Sequence, residues 1–141
     1  MRVVLDTNVI VSSFIYSMGN PGCIREAWHT GAFEVVVTEP ILEEYRRVLN
    51  YPRTRRRHHL SPDQIDLALD DIREMAVNVA DWPTLHVVAD DPDDDKFLEC
   101  AVAAQAEIIV SGDEHLLSLG SFQGIQILTP AAFVVLLSQE S

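Results

Sequence analysis

Four acidic residues in this chain have positions at which they could act together as ligands of a metal ion. Asp6 directly follows the apolar run of residues 3–5, and Asp113 follows a second apolar run and a glycine. Glu44 and Asp94 lie in segments with helical periodicity. Two carboxylates about 4 Å apart repel by roughly 4 kcal/mol at an effective dielectric near 20, so a cluster of four needs a cation. Ligation by carboxylates alone favours Mg²⁺ or Mn²⁺.

Glu44 and Asp94 are selected by their angular positions on helices that turn about 100° per residue. The apolar face of the helix predicted over residues 38–50 is centred near Tyr45, and Glu44 lies about 100° from that centre, at the border of the face. On the helix predicted over residues 91–106, Asp94 lies within about 20° of the centre of the apolar face, whereas Asp95 lies about 120° away. A carboxylate on the buried face of a helix needs a binding partner, so this position favours a metal site at Asp94.

Helix capping is the competing interpretation of the same acids. Asp6 and Asp113 each follow a strand and precede a predicted helix, and Asp91 followed by Pro92 matches the preferred start of another. Acids in a first helical turn also interact favourably with the helix dipole. Capping would explain each acid separately, but it would not explain why all four fall near one rim of the predicted sheet.

Short β-branched runs alternate with helical segments along the chain, which predicts a parallel sheet covered on both faces by helices. In such sheets ligands bind at the carboxyl ends of the strands, where Asp6 and Asp113 fall. No internal repeat or low-complexity linker divides residues 1–141, so we predict a single domain. Strands are predicted over 3–5, 33–38, 107–111 and 125–128, and helices over 9–16, 23–29, 38–50, 61–76, 91–106, 113–119 and 129–139.

A cluster of arginines interrupts an otherwise acidic sequence whose formal net charge is −12 at pH 7. Such a net charge argues against a nucleic-acid partner, but six of the ten basic residues lie within one short window. This arginine arm, predicted to include a loop, could guide phosphates toward Glu44, and Tyr51 could stack on a base. The alternative is that the arginines pair with acids of this chain or of a partner. The arm consists of Arg46, Arg47, Arg53, Arg55, Arg56 and Arg57.

Other features narrow the class of protein. The chain has neither a signal-peptide pattern at its start nor an apolar stretch of about 20 residues, so a cytoplasmic protein without a membrane span is expected. Cys23 and Cys100 are too few for a disulfide framework and are predicted to be buried thiols. His58 and His59 are predicted to be polar loop residues, and His115 is predicted to face solvent.

Four segments, in order along nearly the whole chain, resemble the PIN domain. They read VVLDTNVIVSSF, ILEEYRRVL, DPDDDKFLECAVAAQAEIIVSGDEHLL and GIQILTPAAF. The resemblance is greatest to the bacterial and archaeal PIN-family toxins of toxin–antitoxin systems. It implies a three-layer α/β/α fold with a small central parallel sheet.

The resemblance also implies an activity. PIN domains are metal-dependent nucleases, so the expected reaction is hydrolysis of RNA phosphodiester bonds by a water activated by one or two Mg²⁺ or Mn²⁺ ions. Asn8 and Ser111 match supporting polar positions, and Asp95 or Asp91 could supply a further ligand, directly or through water. The toxins of this group are typically ribonucleases held inactive by a cognate antitoxin, often as homodimers. The expected catalytic and metal-ligating acids are Asp6, Glu44, Asp94 and Asp113.

Two other functions are compatible with parts of the sequence. A phosphatase of the haloacid dehalogenase type also begins with a strand that ends in aspartate, but its second motif aspartate is replaced here by Asn8, and Lys96 is badly placed for the lysine of that family. A PIN module that binds nucleic acid with weak or no turnover would need only the fold and the arginine arm. The presence of all four acids favours the active enzyme.

Overall fold

A computed structural model describes residues 1–140 of the chain. It contains six strands and eight α-helices in these residues. The strands are β1 (Arg2–Leu5), β2 (Glu34–Val37), β3 (Val77–Asn78), β4 (Ile108–Val110), β5 (Ser121–Phe122) and β6 (Ile125–Leu128). The helices are α1 (Thr7–Ile15), α2 (Gly19–His29), α3 (Glu39–Leu49), α4 (Pro52–His58), α5 (Pro62–Met75), α6 (Asp95–Ala104), α7 (Glu114–Leu117) and α8 (Pro130–Gln139).

The strands form one sheet in the order β3-β2-β1-β4-β6-β5, and every pairing except β5 with β6 is parallel. Helices flank this sheet, so the predicted fold class is confirmed. The two-residue strands β3 and β5 were not predicted. Gln123 and Gly124 both have positive φ between β5 and β6, as the tightest type of hairpin turn requires.

The central strands lie in the middle of the hydrophobic core. Every side chain of β4 is buried, as are three of the four side chains in each of β1 and β2. Helix α6 packs against β1, β2 and β4, and its Phe97 and Leu98 are fully buried. The carboxyl ends of β1 and β4 are adjacent because Leu5 pairs with Val110.

Two element boundaries differ from the sequence prediction. The arginine arm is not a loop after Asn50, because residues 52–58 form α4, with Pro52 in its first turn. Helix α2 begins at Gly19 and includes residues 19–22, which were predicted to lie between two helices. A Cβ on Gly22 would lie 2.3 Å from the carbonyl oxygen of Ser17, so the chain there needs a residue without a side chain.

Two polar side chains also differ from prediction. His58 is buried rather than a polar loop residue, since its Nε2 lies 2.8 Å from the Leu49 carbonyl oxygen and its Nδ1 accepts a hydrogen bond from the Leu60 amide. Cys23 was predicted to be buried, but it lies on the solvent side of α2 and is exposed, whereas Cys100 is buried. None of the helices in residues 1–140 is long and apolar enough to cross a membrane.

Candidate metal site

Asp6 is fixed at the carboxyl end of β1 by three hydrogen bonds. Its backbone amide donates to the Val110 carbonyl oxygen of β4 at 2.9 Å. Its carboxylate accepts from the Thr7 amide at Oδ1, as the N-cap of α1, and from Ser111 Oγ at Oδ2, at 2.7 and 2.6 Å. The side chain is 5% exposed. The capping interpretation is therefore correct for Asp6, but capping leaves the carboxylate inside the site.

Ser111 connects Asp6 to Asp113. Its fully buried hydroxyl donates to Asp6 and accepts from the Asp113 amide at 2.9 Å. Asp113 itself caps α7, with its Oδ1 accepting from the His115 amide at 2.7 Å. Asn8, the other residue expected to support the site, is exposed and makes no side-chain hydrogen bond to any of residues 1–140.

Three aspartates form the tightest cluster of possible metal ligands. One carboxylate oxygen from each of Asp91, Asp94 and Asp113 lies within 4.8 Å of the other two. Asp94 is only 9% exposed, and its buried Oδ2 has no hydrogen-bond partner in the described part of the chain. A buried carboxylate oxygen without a donor is costly, and a cation beside it would remove that cost. This donor set fits a hard divalent ion.

Burial and mutual repulsion hold protons on this cluster. Burial raises the pKa of Asp94 from its ordinary value of 3.8 to about 8, and the charges of Asp113, Asp91 and Asp6 add to the rise. Burial also raises the pKa of Asp6 to about 6, against the opposing hydrogen bonds from Ser111 and Thr7. Near neutral pH some of these carboxyl groups are therefore protonated, unless a cation balances their charge.

Glu44 lies near Asp6 but outside the cluster of three. Its Oε1 accepts from Lys96 Nζ at 2.6 Å, and its Oε2 accepts from the Thr7 hydroxyl. The bond from Thr7, the residue next to Asp6, places Glu44 near the Asp6 carboxyl group, and the charge of Glu44 raises the pKa of Asp6. Sequence reasoning did not assign Thr7 or Lys96 to the site. The signals available were the threonine between Asp6 and Asn8, and the single lysine that follows a run of aspartates.

Asp95 has a structural role instead of joining the cluster. It is 6% exposed, and its Oδ1 accepts from the Val87 and Val88 amides at 3.1 and 2.9 Å. The prediction that Asp95 points away from the apolar face was wrong because residues 92–94 form a 3₁₀ turn, which advances about 120° per residue and shifts the phase of the helix. Of the two further ligands left open, Asp91 is therefore in the cluster and Asp95 is not.

The arginine arm divides into paired and unpaired residues. Arg46 bonds to Asp66, Arg47 lies 3.6 Å from Glu44, and Arg57 contacts the hydroxyl and ring of Tyr16. The remaining three arginines lie on α4 and have no ion pair within residues 1–140. Two of them line an open groove of about 480 Å³ together with His59 and Gln64. These three are Arg53, Arg55 and Arg56.

We expect the metal-free protein to lose stability as the pH rises from about 4 to about 8. The raised pKa values of Asp6 and Asp94 mean that the folded state binds more protons than the unfolded state in this range, so the free energy of unfolding falls with pH. A rise in pKa from 3.8 to about 6 corresponds to about 3 kcal/mol at Asp6. Thermal unfolding in chelator from pH 4 to pH 8 would measure this. A free energy of unfolding that rises steadily over that range would contradict it.

The fold and the site together define an α/β protein with a site suited to a hard divalent cation at the carboxyl ends of its central strands. The chain belongs to the PIN domain family, whose sequence profile matches residues 2–115. PIN domains are generally nucleases with acidic metal-binding residues and divalent metal ions. The nuclease-type module expected from the sequence is therefore confirmed at the level of the family.

Comparison with solved structures gives the same fold. The PIN domain of human SMG5 is similar over the whole length of both chains, with 15% sequence identity and a TM-score of 0.50. At this identity the likeness concerns the fold alone. No curated protein matches the chain.

Proposed function

We propose that this protein is a Mg²⁺- or Mn²⁺-dependent endoribonuclease. The observation that carries the proposal is the buried Asp94 carboxylate, whose Oδ2 has no described hydrogen-bond donor and which faces two further carboxylates. A protein that used these acids only as helix caps would have no need to gather three of them within 4.8 Å. Membership of a family of nucleases agrees with this use of the site.

Asp91, Asp94 and Asp113 would hold the ion, with Asp6 beside them. A divalent ion at this place supplies Lewis acidity and lowers the pKa of a coordinated water. In the hydrolysis the attacking water would give up a proton to solvent as its oxygen bonds to phosphorus, the bond from phosphorus to the leaving ribose oxygen would break, and that oxygen would take up a proton from solvent. Ser111 and the Thr7 amide keep the Asp6 carboxylate in one orientation throughout. Glu44, held by Lys96 and Thr7, acts as a positioning residue.

Cleavage of a mixed pool of single-stranded and structured RNA would test the proposal. We expect cleavage with Mn²⁺ or Mg²⁺, none with chelator, and loss of cleavage in Asp113→Asn. Asp90→Asn is the matched control, because Asp90 is an exposed acid outside the cluster and should leave cleavage intact. A folded protein that neither cleaves RNA nor binds Mn²⁺ would contradict the proposal and favour the alternative, a PIN module without turnover.

The free arginines of α4 are proposed to bind the RNA backbone. Replacing Arg55 and Arg56 with alanine should weaken RNA binding and lower the slope of log affinity against log salt by about 1.4, because each phosphate contact to a single strand contributes about 0.7. Fluorescence anisotropy at several salt concentrations would measure the slope. Arg73→Ala is the control, since Arg73 is paired with Glu39. An unchanged slope in the double variant would exclude these arginines from the interface.

A toxin role is proposed from the resemblance to PIN-family toxins. It predicts that induced expression in a bacterial host arrests growth, and that Asp94→Asn abolishes the arrest. Rescue by the product of a neighbouring small open reading frame would identify an antitoxin. The proposal also includes a cytoplasmic homodimer, which light scattering on the purified protein would detect. Normal growth at high levels of folded, active protein would exclude the toxin role.

A further inference from the structure

Lys96, the single lysine of the chain, places a positive charge beside the acids of the site. Its Nζ lies 2.6 Å from Glu44 Oε1 and 3.6 Å from Asp93 Oδ1. The Lys96 and Glu44 side chains are only 13% and 14% exposed. Charged side chains are seldom shielded from water to this extent unless they are paired. Lys96 is therefore held in place, two residues along the chain from Asp94.

The oxygens of Glu44 are both engaged by groups of this chain. Oε1 accepts from Lys96, and the same oxygen lies 3.6 Å from Arg47. Oε2 accepts from the Thr7 hydroxyl. A divalent ion bound by Glu44 would lie against the Lys96 ammonium, and like charges repel strongly where water provides little screening. Glu44 already has its counter-ion.

The three-aspartate cluster, unlike Glu44, is not paired with a cationic side chain of residues 1–140. No lysine, arginine or histidine of residues 1–140 lies within ion-pair distance of its carboxylates. Its buried Asp94 Oδ2 has no donor among the described residues. The acids expected from the sequence to form one quartet are therefore divided between a cluster with no cationic side chain of residues 1–140 in ion-pair distance and a glutamate that is paired with a lysine. The cluster consists of Asp91, Asp94 and Asp113.

We propose that the site binds a single divalent ion, at the three-aspartate cluster, and that Lys96 takes the place beside Glu44 that a second ion would occupy. The inference rests on the proposed function and specifies the cations that the site uses. An ammonium has three N–H donors, and Glu44 and Asp93 can engage two of them. The third donor is available to a non-bridging phosphate oxygen of the substrate, as a charge-assisted hydrogen bond.

The number of bound ions distinguishes this arrangement from a two-metal site. Titration calorimetry with Mn²⁺ should show one ion per chain in the wild-type protein and two in Lys96→Met, because removing the ammonium frees the Glu44 carboxylate. The double variant Lys96→Met, Glu44→Gln should return to one ion. Arg47→Met is the matched control: Arg47 also faces Glu44, but its side chain is 53% exposed, and its loss should leave one ion. Electron paramagnetic resonance should show coupled Mn²⁺ spins only in Lys96→Met.

The outcomes separate this inference from the proposed function. Two ions in the wild-type protein would overturn the inference alone, because Lys96 would not be replacing an ion. A single ion in a folded Lys96→Met variant would also overturn it, and circular dichroism would establish that the variant is folded. No ion in the wild-type protein at millimolar Mn²⁺ would overturn the proposed function itself. RNA cleavage by Lys96→Met should become second order in Mn²⁺ if the inference holds.

Discussion

Asp94→Asn should abolish RNA cleavage and at the same time stabilise the metal-free protein at pH 8. The amide cannot replace the buried carboxylate as a ligand, and loss of several kcal/mol of transition-state stabilisation corresponds to at least about a 1,000-fold fall in rate. The stability rises because the folded protein no longer has to ionise a group whose pKa is about 8. Cleavage rates with Mn²⁺ and melting temperatures in chelator would measure the two effects.

The pH dependence makes this prediction specific. At pH 4 the Asp94 carboxyl is protonated in the folded wild-type protein, so the variant and the wild type should melt at similar temperatures. The difference should grow as the pH rises toward 8, and saturating Mn²⁺ should reverse it by stabilising only the wild type. Asp90→Asn provides the control for removal of one negative charge at the surface. Equal destabilisation of Asp94→Asn at pH 4 and pH 8 would show that Asp94 has a packing role instead.

Phe97→Ala should cause the largest loss of stability among the substitutions considered. Phe97 is fully buried on α6, the helix that packs against the three central strands. Removing a buried phenyl group leaves a cavity and costs about 3–5 kcal/mol, which corresponds to a fall of roughly 10–15 °C in melting temperature for a domain of this size. Urea denaturation and thermal unfolding would measure the loss.

The matched control for this core substitution is Leu67→Ala. Leu67 is 64% exposed on α5, so its removal should change the free energy of unfolding by less than about 0.5 kcal/mol. At temperatures where both variants are folded, each should retain metal-dependent cleavage, because neither substitution removes a carboxylate of the cluster. A loss below about 1 kcal/mol in Phe97→Ala would mean that the core around α6 collapses into the cavity.

Local patterns in the sequence were sufficient to predict the alternation of strands and helices. The Ser-x-x-Gln spacing at the start of α5 is typical of a capping box, and Ser61 and Gln64 each bond to the other's backbone amide. The inward position of Asp94 was also correct, because an apolar face defined by residues such as Phe97 and Leu98 fixes which side of α6 is buried. The short strands β3 and β5 carry too few residues for a periodic pattern, and they form only because neighbouring strands provide partners.

The sequence by itself determined the class of fold, the acids at the ends of β1 and β4, and the family to which the chain belongs. Tertiary structure alone decided how those acids are grouped. Asp91 joins Asp94 and Asp113, whereas Glu44 is paired with Lys96, 52 residues away. The physical reason is that the periodicity of a sequence shows on which side of a helix or strand a side chain lies. Charge pairing depends instead on the distances between helices and strands, which only tertiary packing determines.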